Sequence, residues 1–346
     1  MGMKKLAHKT HARSRSKKFA FHAVVLWGCM CYNGKKSSPI RKERKLMLLC
    51  DTHADTLYRR AKEPAAPLDV TLEGLKKGGV NVQTMAMYVG GKPDLALMRE
   101  NFDLMEKEIL RLKEEGWKQL SDCRDAKENE SAFLLSVEGC DLLADGLSLL
   151  DTWREMGVRM AALTWNHENC IATPASFGPE KGLKPFGREA VKKMKDLGIA
   201  VDVSHLNVQG FYDLLDMGIL PLASHSCCTA LCDHRRNLTD DQLQALFAAG
   251  GYVGVNFYPH FLKKGGDAGI ADICDHVMHM ISLGGEDHIG FGSDFDGIEV
   301  KPRDMQGPVE FPLLLDALRS RGLTETQLAK IAGKNLLAYY DRIDPR

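Results

Sequence analysis

The sequence lacks an excess of charge of either sign. Its 346 residues include 46 Lys and Arg against 46 Asp and Glu, so the formal net charge is zero at pH 7. Proteins that bind nucleic acids or other polyanions generally concentrate Lys and Arg on one surface, because contacts with phosphate supply much of their affinity. The balanced charge therefore argues against nucleic acid as a partner.

Two other features are missing. No apolar run reaches about 18 residues, the length that indicates a membrane-spanning helix. The ten cysteines are scattered, with neither the paired C-x-x-C spacing of a zinc site nor the density of a disulfide framework. We therefore expect no membrane span and mostly buried, free thiols in a reducing compartment, and a cytoplasmic location is favoured over export.

The first 46 residues differ from the remainder of the chain. Basic residues precede an apolar patch at residues 19–32, which is the order found in signal peptides, and residues 26–29 faintly resemble a lipoprotein cleavage site. However, His22 interrupts this patch and a second basic run follows at residues 35–45. We interpret residues 1–46 as a disordered, non-catalytic extension. An export leader, a lipoprotein anchor and a true start at Met47 are the alternatives.

From residue 46 onward, short apolar segments alternate with amphipathic ones. The near-continuous apolar character of the short segments is typical of parallel strands that are covered on both faces. Helices are predicted at residues 94–115, 187–197, 239–249 and 324–340 from their apolar spacing and capping boxes. Eight strands are predicted, at residues 46–51, 81–88, 132–137, 158–164, 199–204, 220–224, 252–257 and 288–292. This pattern predicts a single α/β domain over residues 47–342, a (β/α)8 TIM barrel with a C-terminal helix and its active site where the strands end.

Potential metal ligands follow several of these strands. Near the first strand, His53 and Asp55 are two residues apart and would project from the same face. Three further strands lead into Glu138, His205 and His225. A single His or Glu at a strand end is more often a structural hydrogen-bonding residue, but here the coincidence would have to recur on four strands. Because strand ends meet at one mouth of a barrel, we predict that these five residues bind metal.

The number of ligands favours two metal ions. A cocatalytic pair about 3.5–4 Å apart can share a carboxylate and activate a bridging water molecule for hydrolysis. Imidazole and carboxylate ligands suit zinc, with manganese or cobalt as substitutes. The last strand leads into Asp294, whose role Asp296 could also take. His276 and His279 lie in a predicted outer helix and are interpreted as part of a solvated face.

Seven segments of the chain resemble the membrane (renal) dipeptidase family, peptidase family M19, a branch of the metal-dependent amidohydrolase barrels. They follow the order of the family and extend over about residues 47–340. The segments are DTHAD at residues 51–55, SVEG at 136–139, DVSH at 202–205, SHS at 224–226, RRNL at 235–238, VNFY at 255–258 and GFGSDFDG at 290–297.

The resemblance implies a dipeptidase that binds two zinc ions per chain. His53 and Asp55 would hold one ion, His205 and His225 would hold the other, and Glu138 would bridge both and so take part in catalysis. A hydroxide bridging the two ions would attack the peptide carbonyl. Family members also suggest a homodimer.

The resemblance further assigns residues that contact the substrate, a short dipeptide with or without a C-terminal D-residue. Asp294 would orient or deprotonate the attacking water and pass its proton to the leaving amine. Arg236 would bind the C-terminal carboxylate through its planar guanidinium. The substrate-polarising His of the family falls at Trp165, so nearby His167 is the candidate for that role. Phe261 occupies a position where some members have a substrate-binding Tyr.

Other functions remain open at this point. Related amidohydrolases that act on lactams, lactones or N-acyl amino acids share the metal chemistry and differ in their pocket loops. A catalytically silent barrel could bind metal or peptide with the same side chains. A phosphodiester hydrolase acting on nucleic acid is disfavoured by the neutral charge.

Overall fold

A computed structural model describes residues 47–344, which form a closed parallel β-barrel surrounded by helices. Its strands are β1 (Cys50–Asp51), β2 (Val82–Tyr88), β3 (Lys118–Gln119), β4 (Ala132–Glu138), β5 (Val158–Ala162), β6 (Ala200–Asp202), β7 (Leu222–Ser226), β8 (Tyr252–Val255) and β9 (Ile289–Phe291). The barrel order is β1-β2-β4-β5-β6-β7-β8-β9, and β9 returns to β1 through the pair Asp51 and Phe291. The predicted (β/α)8 barrel is confirmed.

The short strand β3 was not predicted. It pairs with the beginning of β4 and lies outside the closed set of eight strands. Lys118 and Gln119 carry no apolar or β-branched signal, so only their pairing with an established neighbour identifies them as a strand.

The helices are α1 (Thr56–Lys62), α2 (Leu72–Gly78), α3 (Leu95–Glu114), α4 (Leu149–Met156), α5 (Pro185–Asp196), α6 (Val208–Asp216), α7 (Asp240–Ala249), α8 (Pro259–Leu262), α9 (Ile270–Ser282), α10 (Phe311–Ser320), α11 (Glu325–Ala329) and α12 (Asn335–Ile343). The side chain of Asp94 accepts hydrogen bonds from the first turn of α3. Thr239 and Gln242 form the capping box that begins α7. These caps explain why the predicted starts of the two helices agree with the observed ones to within a residue.

The predicted continuous helix at residues 324–340 is wrong in one respect. A π-helical turn, Lys330–Lys334, separates α11 from α12. At this turn a Cβ on Gly333 would lie 2.8 Å from the carbonyl oxygen of Leu48, so the backbone of the turn packs directly against the segment that leads into β1. The interruption therefore follows from a tertiary contact that helical spacing does not reveal.

Two layers of buried side chains fill the molecule. The larger layer lies between the strands and the surrounding helices. The smaller layer fills the end of the barrel where the strands begin, and α12 contributes Leu336, Tyr339 and Tyr340 to it. The Tyr339 hydroxyl donates to the carbonyl oxygen of Leu220, and the Tyr340 hydroxyl donates to that of Arg159. Helix α12 thus closes this end, and the candidate ligand residues lie at the other end.

The predicted solvated position of His276 is wrong. Its ring is buried in α9, where Nδ1 accepts from the backbone N–H of Cys228 and Nε2 donates to the carbonyl oxygen of Leu262. His279 is half-buried and lies 2.8 Å from the carboxylate of Asp240. Both rings therefore have structural partners, in agreement with the expectation that they are not a metal pair.

Three other predictions concern a membrane span, the cysteines and the N-terminus. Within residues 47–344, every helix is too short or too polar to cross a bilayer. The cysteines of this range are free, and all but Cys170 are buried, as expected. The predicted extension at residues 1–46 lies outside the described residues.

Candidate active site

A cavity of about 560 Å³ opens at the end of the barrel where the strands finish. Because parallel strands of a barrel all end at this mouth, residues distant in sequence meet there. The lining includes acidic, imidazole, guanidinium and aromatic side chains: Asp55, Glu138, Asp294, His205, Arg59, Arg236, Tyr58, Tyr88, Trp165, Tyr258 and Phe261.

The first group of potential ligands surrounds His53, which follows β1. Its Nε2 lies 3.5 Å from Asp55 Oδ2, 3.7 Å from Glu138 Oε2 and 3.7 Å from Asp294 Oδ1. Both His53 Nε2 and Asp55 Oδ1 are buried without a well-formed hydrogen bond among the described residues. Buried polar atoms of this kind normally have a partner, so these two atoms are available to a ligand.

The second group lies on the other side of Glu138, the last residue of β4. His205 Nε2 is 3.0 Å from Glu138 Oε1, and His225 Nε2 is 3.8 Å from the same oxygen. The two Nε2 atoms are 3.1 Å apart. One carboxylate oxygen of Glu138 therefore faces His53, and the other faces the His205–His225 pair.

Hydrogen bonds behind these two imidazoles orient them. The Nδ1 of His205 lies 3.1 Å from the side-chain oxygen of Asn166. Ser224 Oγ donates to Asp202 Oδ2 at 2.5 Å and lies 2.7 Å from the Nδ1 of His225. Because the hydroxyl proton of Ser224 is directed to Asp202, its oxygen accepts from an Nδ1–H, and Nε2 of His225 keeps its lone pair for the cavity. This is the arrangement that holds metal-binding imidazoles in place.

The backbone is strained where the site is built. His205, Asp294 and Asp296 have φ values of 68°, 66° and 64°, in the left-handed region that side chains with a Cβ seldom occupy. Near the same turn, a Cβ on Gly297 would lie 2.1 Å from Asp55 Oδ2, so only glycine lets this carboxylate occupy its position.

Burial and charge shift the pKa values of these groups strongly. Burial alone would lower the pKa of His53, but the carboxylates around it, chiefly Glu138, raise that pKa to about 10. Burial raises the pKa of Glu138 well above its usual range and that of Asp294 to about 6. Burial lowers the pKa values of His205 and His225, because a charged ring loses its contact with water there. The positive charges of Arg236 and His53 lower both pKa values further.

The donor set fits divalent cations. Nitrogen and carboxylate atoms of His53, Glu138 and His225 lie within 4.8 Å of one another, and so do those of His53, Asp55 and Asp294. Imidazole and carboxylate are the ligands that zinc uses in hydrolytic sites. Positive charge at this position would also balance a cluster of buried carboxylates that is otherwise costly to ionise.

Arg236 lies beside this cluster and is buried. One guanidinium nitrogen, Nη2, is 3.3 Å from the carbonyl oxygen of His225, and the Phe261 ring lies 5.5 Å from its central carbon. Its Nε has no hydrogen-bond partner among residues 47–344. The neighbouring Arg235 is exposed. Of the two arginines in this motif, Arg236 is the one placed to contact a ligand in the cavity.

Two other candidates have hydrogen-bond partners outside this cluster, although Asp296 also lines the cavity. Asp296 accepts hydrogen bonds from the Thr56 hydroxyl and the backbone N–H of Asp69, each at 2.7 Å, so its carboxylate is committed to these contacts. The Nε2 of His167 lies 2.9 Å from Asp141 Oδ1, and its ring is not among the side chains that line the cavity. Trp165 lines the cavity instead. The metal-ligand candidates, Asp294 and Arg236 therefore lie together, whereas His167 does not join them.

Sequence reasoning missed several side chains that line the cavity. Tyr58 and Arg59 belong to α1, directly after the ligand motif, and Tyr88 is the last residue of β2. The signal for Tyr88 was its place at the end of a predicted strand, where only ionisable ligands were sought. For Arg59 the signal was its spacing of four residues from Asp55, which is one helical turn.

Comparisons with known proteins identify the family to which this chain is similar. The family model described as membrane dipeptidase, peptidase family M19, matches residues 40–343. An uncharacterised dipeptidase of Schizosaccharomyces pombe is 38% identical over 218 residues, which are 62% of this chain and 53% of that protein. A dipeptidase of Claviceps purpurea is 29% identical over 307 residues, covering 83% of this chain and 72% of that protein.

A solved structure of a family M19 dipeptidase has a similar fold. The crystal structure of dipeptidase AC, a metallo peptidase of family M19, superposes with a TM-score of 0.80 at 25% identity, covering 86% of this chain and 99% of that one. The chain spans just over half the length of the Schizosaccharomyces pombe relatives that it matches. On the match over residues 40–343, the chain belongs to the membrane dipeptidase family, peptidase family M19.

Proposed function

We propose that this chain is a metal-dependent dipeptidase that hydrolyses short dipeptides, including those with a C-terminal D-residue, with two zinc ions per chain. Manganese and cobalt are the expected substitutes. The observation that carries the proposal is the position of Arg236, a buried cation in the same cavity as the ligand candidates.

In this proposal His53 and Asp55 hold one ion, His205 and His225 hold the other, and Glu138 contacts both. Support comes from the two oxygens of Glu138, which face different imidazoles at 3.7 Å and 3.0 Å. When bound, such ions polarise the peptide carbonyl and activate a water molecule for hydrolysis.

Arg236 binds and orients the substrate. Its guanidinium matches the geometry of a carboxylate and can make two parallel charge-assisted hydrogen bonds to the C-terminus of a dipeptide. Because Arg236 is buried in the cavity wall and contacts the backbone of His225, it would fix the scissile carbonyl at a set distance from the ligand cluster. This requirement favours peptides with a free C-terminus at the residue next to the scissile bond.

Asp294 transfers a proton from the attacking water to the leaving amine. Its Oδ2 accepts a hydrogen bond from the side-chain amide of Asn256 at 2.9 Å, which leaves Oδ1 directed to His53 and the cavity. A carboxyl whose pKa is raised to about 6 is suited both to accept a proton from water and to return it to the leaving amine near neutral pH. The role assigned to His167 would require a movement of its loop, because its Nε2 contacts Asp141.

The proposal is tested by reading metal content and turnover together on the full chain. We expect about two metal ions per chain and hydrolysis of L-Ala-L-Ala and L-Ala-D-Ala that chelator abolishes and zinc restores. Metal binding without cleavage of any dipeptide would redirect the substrate search to lactams and N-acyl amino acids. A chain that binds no metal would contradict the proposal.

A further inference from the structure

Two consecutive arginines of α1 lie in different surroundings. Arg60 is tied to α3, with its Nε 3.0 Å from Glu108 Oε2 and its Nη2 2.5 Å from Glu115 Oε1. Arg59 lines the active-site cavity. The ion pairs of Arg60 therefore hold α1 against α3, whereas Arg59 makes no such contact with a neighbouring helix of the described chain.

The guanidinium of Arg59 has little to neutralise it within residues 47–344. Its nearest acidic group is Glu63, whose Oε2 lies 4.0 Å from Nε and whose side chain is 60% exposed. Such a distance is too long for a hydrogen bond, and an exposed ion pair of this kind contributes little. The Nε atom itself is buried and has no hydrogen-bond partner there.

The other cations that line the cavity are placed differently. Arg236 is buried, and the Nζ of Lys301 pairs with the carboxylate of Asp69. Glu299, an exposed acid, also lines the cavity near Lys301. Of the three Lys and Arg side chains among the described residues that line the cavity, Arg59 is therefore the one that is neither buried like Arg236 nor hydrogen-bonded to a carboxylate like Lys301.

Arg59 and Arg236 both line the cavity, and the contacts of each lead to a different group of the ligand cluster. Arg236 contacts the backbone of His225, in the group beside Glu138 Oε1. The backbone N–H of Arg59 donates to the carbonyl oxygen of Asp55, in the group beside His53. A dipeptide whose C-terminus lies at Arg236 and whose scissile carbonyl lies over Glu138 would consequently extend its N-terminal residue to the Arg59 side.

Aromatic rings bound the space beside Arg59. The centroids of Tyr58 and Tyr88 are 4.8 Å apart, those of Tyr88 and Trp165 are 5.2 Å apart, and all three rings line the cavity. A wall of this type would cover the methylene groups of a substrate side chain while its terminal group reaches the guanidinium. A carboxylate is the group that the planar guanidinium fork binds best.

We propose that Arg59 forms a second anion-binding subsite that selects dipeptides with an acidic N-terminal residue, Glu or Asp. This inference rests on the proposed dipeptidase function. Glu63 competes for the guanidinium of Arg59, and the exposed carboxylates of Glu63 and Glu299 repel an anionic substrate. The preference for an acidic residue therefore depends on direct contact with Arg59 rather than on the overall charge of the cavity.

The test compares L-Glu-L-Ala with L-Gln-L-Ala, which has the same shape and no side-chain charge, on the zinc-loaded full chain. We expect kcat/KM to favour Glu-Ala by about tenfold, the effect of one hydrogen bond to a charged group. Arg59→Gln should abolish this preference by lowering kcat/KM for Glu-Ala about tenfold more than kcat/KM for Gln-Ala, and Arg59→Lys should keep part of the preference. Arg99→Gln removes an equal charge from an exposed residue of α3 and should behave as the unmodified chain.

Each other result has a defined meaning. Hydrolysis of Gln-Ala without a preference for Glu-Ala would overturn this inference and leave the proposed function intact. An equal loss of both substrates in Arg59→Gln would assign Arg59 to the main-chain carboxylate and overturn it as well. No hydrolysis of either dipeptide, or of Ala-Ala, by the zinc-loaded chain would overturn the proposed function and this inference with it.

Discussion

Glu138 occupies the centre of the ligand cluster, with each carboxylate oxygen directed to a different imidazole group. We expect Glu138→Gln to lose metal and nearly all turnover, because a neutral amide is a poor bridging ligand. Elemental analysis and kcat on a dipeptide measure both effects. Glu128→Gln, on the exposed surface, is the control. Normal metal content and activity in Glu138→Gln would contradict the assignment of a shared carboxylate.

Asp294 offers a separate prediction, because its proposed role is proton transfer. Asp294→Asn keeps the size of the side chain and its place beside Asn256 but removes the base. We expect metal content to stay close to that of the unmodified chain and kcat to fall by about 100-fold or more. An unchanged kcat would move the proton-transfer role elsewhere, and Asp296→Asn would then be the variant to measure.

Individual residues were predictable to the extent that their chemistry is local. His53 and Asp55 can be identified from their spacing, and Glu138 from its place at a strand end. The burial of His276 could not be predicted, because the backbone atoms that hydrogen-bond to its ring belong to segments 14 and 48 residues away. Arg59 was overlooked for a related reason, since only the fold distinguishes it from Arg60.

At the scale of elements, β6 and β7 are joined by a chain of hydrogen bonds from Asp202 through Ser224 to His225. Ser224→Ala removes the hydroxyl that orients the imidazole. We expect metal affinity to weaken about 10- to 100-fold, which competition with a chelator would measure. Ser320→Ala, on the exposed end of α10, is the matched control. Equal metal affinity in the two variants would show that the hydroxyl does not position His225.

The closed end of the barrel holds a second linked set of polar groups. Asp122 accepts from Arg124 at 2.6 Å and lies 3.4 Å from the guanidinium of Arg159, which in turn contacts Asp344 at 2.8 Å. Burial alone would raise the pKa of Asp122, but the hydrogen bonds from Arg124 and the charge of Arg159 hold it at about 2.

This pKa predicts a pH-dependent contribution to stability. Because the folded pKa of Asp122 is depressed, the contribution is complete above pH 3.8 and is lost as the pH falls to about 2. The free energy of unfolding of Asp122→Asn should therefore approach that of the unmodified chain across this range. Urea titrations at several pH values measure the difference. A gap between the two chains that does not change with pH would contradict the prediction.

Elements were predicted well where a strong local pattern coincides with burial. All eight barrel strands were identified, since each is an apolar run covered on both faces. Their ends were less accurate: residues 46–51 were predicted as a strand, whereas β1 is Cys50–Asp51. The π-helical turn between α11 and α12 was missed because the approach of Gly333 to Leu48 depends on the closed barrel.

At the scale of the whole molecule, the ligand candidates come from four strands, β1, β4, β6 and β7, so a bound metal would connect much of the barrel. A ligand that binds only the folded state adds about 4 kcal/mol of stability at 1,000 times its dissociation constant. We expect the Tm to rise with zinc and to fall with chelator. Glu138→Gln should show a much smaller rise in Tm with zinc. A Tm that changes with neither zinc nor chelator would contradict metal binding in the folded barrel.

The fold of the whole molecule was predictable because the alternation of strands and helices specifies a parallel barrel. The identity of the cavity lining was less so, since it depends on which loop residues meet across the mouth. Trp165 and His167 illustrate this limit: both follow β5, yet only Trp165 lines the cavity, and His167 contacts Asp141.

Helix α12 fills the barrel from the end where the strands begin, with Leu336, Tyr339 and Tyr340. A barrel interior that needs these residues cannot be completed while they are still inside the ribosome, even though β1 to β9 have already emerged. Domains usually fold as units during synthesis, so this chain would pass through a period in which its strands are exposed to solvent and to other chains. Its dependence on chaperones should therefore be greatest just before residue 340 leaves the exit tunnel.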